Sequence, residues 1–202
     1  LMRACTLNTA DCARVLVGHF RGAVNGEDEH GRTPLMQACC YGSQECAELL
    51  LEHGADVDTC DEMGHSPLLE AAWNGHHACA RLILEHGADA NLGMQIGGLG
   101  WMCTPLSIAC HRGPLELVQL LCAFGAHRED VLCTTGSRTV LSVTPHLASV
   151  TEWLEDTRHW TSPLHFLEHL SPERALHLLR AGADIHEHNS EGPTPLERAC
   201  QL

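Results

Sequence analysis

Two stretches that begin 33 residues apart decide the fold: DEHGRTPLMQACCYGSQECAELLLEHGADVD (residues 28–58) and DEMGHSPLLEAAWNGHHACARLILEHGADAN (residues 61–91). Among the residues that recur 33 positions later are Gly31, Pro34, Leu35, Gly42, Gly54 and Ala55. Self-similarity at a fixed period of this length is the signature of a repeat protein. The fold is therefore predicted from one unit, which the chain uses several times.

Each unit contains start and stop signals for two short helices. Thr33 offers a side-chain oxygen for an N-cap, and Pro34 follows at the first helical position, where no N–H is needed. Gly42 is predicted to end the first helix, and a second helix with apolar residues such as Leu50 is predicted to end at Gly54. One helix pair cannot bury its apolar face alone, so successive units must stack and share a core.

This pattern resembles the ankyrin repeat, with the family motif D-x-x-G-x-T-P-L-H-x-A-A-x-x-G-H followed by L-L-x-x-G-A-D. The two central units match it almost fully, and TPLSIACHRGPLELVQLLCAFGAH repeats it from Thr104. The resemblance implies an all-α solenoid of stacked helix-turn-helix units with outward β-turn or hairpin loops. We expect residues 1–202 to form a single ankyrin-repeat domain.

The repeat divides the chain into units of unequal regularity. They are 1–27 (partial), 28–60, 61–93, 94–130 with an inserted turn, 131–158 (degenerate), 159–188 and 189–202 (truncated). Pro67 and Pro105 are 38 residues apart, which places about five extra residues in an outward turn. Trp153 and Leu154 align with the apolar pair of a second helix, which favours a continuous core. The partial end units suggest a segment of a longer protein.

Composition excludes several classes of function. The formal charge is −14, with 12 Arg and no Lys, so a nucleic-acid backbone would be repelled. No apolar run reaches the roughly 18 residues that a membrane-spanning helix needs. Leu1 opens onto an amphipathic segment without a basic n-region, so we expect no signal peptide. We therefore predict neither nucleic-acid binding nor membrane insertion.

The 12 cysteines fall largely in register with the repeat. Cys5, Cys39, Cys110 and Cys200 share one motif position, and Cys12, Cys46 and Cys79 share a second position that is predicted to face the core. The positions outside this register are Cys40, Cys60, Cys103 and Cys133. Small apolar thiols in a core, without a C-x-x-C pair, indicate reduced structural cysteines. A cytoplasmic setting follows, with the nucleus as the alternative.

Catalytic signatures are sparse, and we predict a protein that is not an enzyme and has no cofactor or metal. No phosphate-binding loop or nucleophile elbow occurs, and Gly97-Gly98-Leu99-Gly100 lacks a strand-then-helix context. The segment His165-Phe166-Leu167-Glu168-His169 fits H-x-x-E-H, so a metal-dependent hydrolase at His165, Glu168 and His169 stays a remote alternative. His165 also occupies the histidine position of the repeat motif, where the resemblance implies hydrogen bonds between adjacent turns.

The resemblance implies that a partner protein binds the outward turns and the exposed face of each first helix. The residues at these variable positions are Glu29, His30, Arg32, Cys40, Tyr41, Glu62, Met63, His65, Trp73, Asn74, His111 and Arg112, with Trp101 added at the end of the inserted turn. Tyr, Trp and Arg dominate the energetics of interfaces. Alternatively, Tyr41 or Trp73 packs on the adjacent first helix, and Trp101 is a hydrophobic staple rather than a rim contact.

We therefore predict that the protein acts by binding a partner protein. Nearby carboxylates such as Glu29, Asp58, Asp61, Glu62 and Glu70 favour a partner with a basic surface. We expect a monomeric protein-interaction module that serves as an adaptor or recruiting scaffold. The alternative is a regulatory ankyrin arm of a larger enzyme or channel whose other parts lie outside this segment.

Overall fold

The computed structural model describes residues 1–96, 101–128, 145–157, 160, 162–186 and 192–200. The α-helices are α1 (Met2–Thr6), α2 (Ala10–His19), α3 (Pro34–Tyr41), α4 (Gln44–Glu52), α5 (Pro67–Asn74), α6 (His77–Glu85), α7 (Pro105–Arg112), α8 (Leu115–Ala123), α9 (Pro145–Asp156), α10 (Pro172–Arg180) and α11 (Pro195–Ala199). Two 3₁₀ helices, Arg21–Ala23 and Pro163–His169, and two strands, β1 (Met94–Ile96) and β2 (Trp101–Cys103), complete the order.

The helices of the central units begin and end where the sequence predicts. Thr33 Oγ1 accepts a hydrogen bond of 3.3 Å from the backbone N–H of Met36, and Ser66 caps α5 in the same way. Gly42 and Gly75 follow the first helices with φ of 69° and 72°, a conformation in which a Cβ would be strained. These local signals set the length of each first helix.

The first helices stack in sequence, and the second helices stack behind them. Helix α3 packs between α1 and α5, α5 packs against α7, and α4 and α6 form the second layer with α8. Leu35, Leu50, Leu68 and Leu117 are among the fully buried side chains between the layers. Within the described residues one apolar cluster runs from Ala4 to Leu170. The all-α solenoid is confirmed.

A β-hairpin occupies the inserted turn before α7. Strands β1 and β2 are antiparallel, with Met94 opposite Cys103 and Ile96 opposite Trp101. The glycine-rich residues 97–100 between the strands lie outside the described part of the chain. The two strands precede α7, and the helix pair that follows keeps the regular lengths, eight residues in α7 and nine in α8.

The unit after α9 departs from the regular pattern. Its first helix is the 3₁₀ helix Pro163–His169, in which Phe166 has non-helical φ and ψ of −102° and 35°. This helix packs mainly against α8. Pro172 begins α10 shortly afterwards, and a proline disfavours helical conformation in the residue before it. Two residues separate this 3₁₀ helix from α10, as two residues separate α3 from α4, so the residue that the unit lacks falls within its first helix, which has seven residues instead of eight.

The cysteine prediction is wrong at Cys12 and holds elsewhere in its register. Cys46 and Cys79 are buried as predicted, but Cys12 is exposed. Cys46 Sγ packs 3.7 Å from the carbonyl oxygen of Ala4 in the preceding unit, whereas no described unit lies on that side of Cys12. Burial raises the pKa of the Cys5 thiol to about 12, so this thiol carries little thiolate and is a poor nucleophile.

The prediction of a core thiol is also wrong at Cys200, which is exposed at the end of the described residues, whereas Cys5, Cys39 and Cys110 at the same motif position are buried. Outside the register, Cys60 is exposed, Cys40 and Cys103 are half-buried, and Cys133 lies outside the described residues. Within the described part of the chain, no helix is long and apolar enough to cross a membrane.

Candidate functional site

The last two residues of each regular first helix form a row across three units, which we call the helix-end row. Its members are Cys40 and Tyr41 on α3, Trp73 and Asn74 on α5, and His111 and Arg112 on α7. They align because the helices share a capping pattern and pack side by side. Contacts join neighbouring pairs: Asn74 Nδ2 lies 3.8 Å from Cys40 Sγ, and the Arg112 guanidinium lies 4.5 Å from the centre of the Trp73 ring.

The aromatic residues of the row are accessible to a partner. Tyr41 is 55% exposed and Trp73 is 46% exposed, although Arg112 covers one face of the Trp73 ring. Trp73 thus packs against the adjacent first helix and still offers about half of its surface to solvent. Exposed aromatic side chains on a rigid row are of the type that carries binding energy at protein interfaces.

The outward turns place a second set of predicted residues at their tips. Glu29, His30, Glu62 and Met63 are all exposed, and Met63 is 69% exposed. The backbone N–H of Glu62 donates a hydrogen bond of 3.1 Å to the carbonyl oxygen of His30, which joins the two turns. We call these four residues the turn tips. Their spacing is fixed by backbone contacts.

Arg32 and His65, which were also predicted to contact a partner, bind buried carboxylates within the chain. Arg32 Nη2 lies 3.2 Å from Glu70 Oε1, and Arg32 Nε lies 3.6 Å from Asp61 Oδ2. His65 Nδ1 lies 3.1 Å from the same Asp61 oxygen. Burial opposes ionisation of Asp61, but hydrogen bonds from the backbone and ring of His65 outweigh it and lower the pKa of Asp61. Sequence reasoning counted Asp61 and Glu70 among the carboxylates that favour a basic partner, but both are buried and pair with Arg32 instead.

Among the described residues, this cluster also has side chains close enough together to hold a metal ion. Asp61, His65 and Glu70 each offer one ligand atom, and these three atoms lie within 4.8 Å of one another. Arg32 already supplies the positive charge that two buried carboxylates require. The arrangement is that of a buried ion-pair network that fixes the turn against α5.

The H-x-x-E-H segment has a structural role. His165 is buried, with Nε2 3.1 Å from the carbonyl oxygen of Pro193 and Nδ1 3.2 Å from that of Ser162. Glu168 Oε1 accepts a hydrogen bond of 2.8 Å from Arg198. Both ring nitrogens of His165 therefore contact the backbone, and the contact with Pro193 joins adjacent turns as the repeat resemblance implies. This geometry disfavours the hydrolase alternative.

An open cleft of about 620 Å³ extends the surface beyond the predicted region into the first unit. Its lining residues are Met2, Arg3, Thr6, Leu7, Glu27, Asp28 and Gln37. Leu7, which is 62% exposed, precedes Tyr41 by 34 positions and occupies the equivalent place at the end of α1. The register that indicated Tyr41 and Trp73 could therefore have indicated Leu7, and we missed it because the first unit is only partly regular.

Trp101 cannot be assigned to either of its predicted roles. Its backbone lies in β2, opposite Ile96, and its side chain is outside the described part of the structure.

Comparisons with known proteins agree with the stacked units. The family model for ankyrin repeats in three copies matches residues 1–94, and the model for the single ankyrin repeat matches residues 102–135. The chain is 52% identical over 40 residues to potassium channel AKT1 from Oryza sativa subsp. indica, and equally to AKT1 from subsp. japonica; the match covers 20% of this chain and 4% of each channel. The family models cover more than half of the sequence, and the chain belongs to the ankyrin-repeat family.

Proposed function

We propose that this chain binds a partner protein on the groove formed by the helix-end row and the turn tips, as an adaptor or recruiting scaffold. The observation that carries the proposal is the half-exposed pair Tyr41 and Trp73, held at equivalent helix ends on a rigid stack. Ankyrin repeats are protein-interaction modules. A non-catalytic role is the simplest one for this surface.

A partner with a basic surface fits the charge of the groove. Arg32 is neutralised by Asp61 and Glu70 within the chain, whereas Glu62 and Asp28 are exposed on the turns. The net charge of the chain, −14, has the same sign. Complementary charge speeds encounter and rejects partners of the wrong sign more than it adds affinity.

The experiment is affinity capture from a cell lysate with the wild-type chain and a Tyr41→Ala, Trp73→Ala, Arg112→Ala variant. A matched control carries Arg14→Ala, Val15→Ala and Phe20→Ala, which remove an arginine and two exposed apolar side chains on and just after α2. Circular dichroism first establishes that the three proteins are equally helical. Partners lost from the first variant and kept by the control support the groove. The same partners on all three proteins, or none, would contradict it.

A regulatory arm of a larger protein is the second candidate. The 40-residue match to a potassium channel at 52% identity favours it, because the channel is far longer than this chain. In that case the partner of the groove is another segment of the same polypeptide. An antibody against residues 28–91 would detect a native product much larger than 22 kDa on an immunoblot. A native product near that mass would leave the adaptor as the function.

The proposed compartment and oligomeric state rest on the thiols and the charge. The cysteines of the described residues are free, and Cys39, Cys46 and Cys79 among them are buried. Free core thiols suit a reducing compartment, the cytoplasm or the nucleus. Cell fractionation tests the compartment. Light scattering tests the expectation that the chain is a monomer.

A further inference from the structure

Arg112 and Trp73 form a cation–π pair in the helix-end row. The guanidinium carbon of Arg112 lies 4.5 Å above the Trp73 ring, and Arg112 itself is exposed. An arginine stacked on an aromatic face keeps its in-plane N–H donors directed outward, in a fork that matches a carboxylate. The stack also reduces the entropy that the side chain would lose on binding.

Arg112 differs from Arg32 and Arg198 in having no ion-pair partner among the described residues. Arg32 pairs with Asp61 and Glu70, and Arg198 pairs with Glu168. Within the part of the chain that the structure describes, Arg112 contacts the Trp73 ring and forms no ion pair. His111, also exposed, precedes it at the same helix end. The groove thus combines a cation held on Trp73 at the end of α7 with acidic residues on the turns before α3 and α5.

We infer that Arg112, held on Trp73, binds a carboxylate of the partner protein; this inference rests on the proposed function of the groove and specifies how it recognises its partner. The partner segment is then mixed in charge, with an acidic side chain at Arg112 and basic side chains near Asp28 and Glu62. A purely basic segment would leave Arg112 without a counter-charge and would be repelled by it.

A carboxylate fits this place better than a phosphate. Arg112 is the last residue of α7, where the helix dipole presents partial negative charge, and the chain carries a net charge of −14. Every additional negative charge on the ligand is opposed by both fields. A monoanion gains the bidentate contact with the smaller repulsion.

The repeat also sets the spacing of the two charges in the partner. Arg112 lies two units after the turn that begins at Asp28. Packed helices lie about 10 Å apart, so two layers span about 20 Å across the stack. Arg112 also lies at the far end of an eight-residue helix, about 12 Å along the helix axis. The diagonal is about 23 Å, so basic and acidic side chains need to be at least about seven residues apart in an extended chain at roughly 3.3 Å each.

The test uses defined peptide probes and isotope-labelled protein in nuclear magnetic resonance titrations. The probe has two lysines, a glycine-serine spacer and a glutamate at the inferred separation; a second probe reverses the order, because the direction of binding is not fixed by the charges. Matched probes replace glutamate by glutamine or by phosphoserine. The signals followed are the Arg112 Nε–H and the Trp73 indole N–H, at millimolar probe and low salt.

The glutamate probe is expected to shift both signals and to bind about five-fold more tightly than the glutamine probe, the range of an exposed ion pair. In an Arg112→Lys protein, which keeps the charge and loses the fork, that preference should shrink. Equal binding of the glutamate and glutamine probes, no shift with any probe, or tighter binding of the phosphoserine probe each overturns the inference.

The outcome is separable from the test of the proposed function. Selective shifts at Arg112, together with capture that is unchanged in the triple variant, would keep the carboxylate site and refute the groove as the place where the partner binds. Loss of captured partners without any charge preference at Arg112 would do the reverse. The proposed groove and the inferred carboxylate site at Arg112 can therefore fail independently of each other.

Discussion

The regular units at residues 28–91 and the C-terminal units from α9 onward build the same solenoid with different interactions. In the regular units leucine and alanine fill the core, and Thr33 and Gly42 fix the ends of a helix. From α9 onward an aromatic cluster takes the place of leucine and alanine. Phe166 lies 5.9 Å from Trp153 and 5.2 Å from Trp160, measured between ring centres.

An arginine joins this second region to the regular stack. Arg128 donates hydrogen bonds of 2.7 Å and 2.9 Å to the carbonyl oxygens of Thr157 and Leu154 at the end of α9. Its guanidinium also lies 5.5 Å from the centre of the Trp153 ring. In this region long-range side-chain contacts therefore add to local caps such as that of Ser162. The two regions should differ in how they respond to mutation.

The largest expected effect is in the regular core. Leu68→Ala removes a fully buried side chain of α5 and should lower the free energy of unfolding by about 3 kcal/mol, since the cavity cannot fully collapse. Urea denaturation followed by circular dichroism measures it. Leu7→Ala, the same change at an exposed position, is the control and should cost less than about 0.5 kcal/mol. Equal effects would contradict the buried stack.

Arg128→Met should act on the second region alone. It keeps most of the side-chain volume but leaves the carbonyl oxygens of Leu154 and Thr157 without their donor, at a cost of about 2 kcal/mol. Hydrogen exchange should show faster exchange in α9 and the 3₁₀ helix Pro163–His169, with α3–α6 unchanged. Arg112→Met, at an exposed arginine, is the control. Uniformly faster exchange along the chain would mean that the regions unfold together.

Removal of a helix cap should lower the free energy of unfolding by a smaller amount, and by different amounts in the two regions. Thr33→Ala removes the acceptor of the Met36 N–H and should cost about 1 kcal/mol. Ser162→Ala, at the matching cap of the 3₁₀ helix, should cost less, because that short helix is held by His165 and the aromatic cluster. Thermal unfolding of the two variants ranks them. A larger loss for Ser162→Ala would reverse the comparison.

The smallest effect is a pH dependence at the junction of the regions. Burial lowers the pKa of His77 on α6 and of His169, and Arg81 adds to this shift. Glu116 opposes the shift at both histidines, and Glu168 opposes it at His169. The unfolded chain therefore binds protons first as pH falls. Stability should be unaffected above about pH 6.5 and should decrease below it, towards the lowered pKa values.

Urea titrations at several pH values measure this dependence. The His77→Gln, His169→Gln double variant should lose the part of the decrease that lies between the ordinary histidine pKa and the lowered values. An unchanged pH profile in the double variant would assign the decrease to carboxyl groups elsewhere.

Sequence reasoning succeeded where information is local. The caps at Thr33 and Ser66 and the glycine at Gly42 act on residues within one helical turn, so the motif predicts them directly. It failed at Cys12, because burial there depends on a neighbouring unit. It also failed to pair Arg32 with Glu70, which lies 38 residues further along the chain. The thirteen predicted contact residues stay a prediction, although the structure aligns those on α3, α5 and α7.

By itself the sequence determined that this protein is a stack of ankyrin units, because the 33-residue period repeats the same caps, turns and apolar positions. Only the tertiary structure decided which surface residues are free to bind. Arg32 and Arg112 occupy candidate positions of equal standing in the sequence, yet one is neutralised by buried carboxylates and the other lies exposed on Trp73. The reason is physical: an ion pair or a stacking contact depends on residues that only packing brings within a few ångströms.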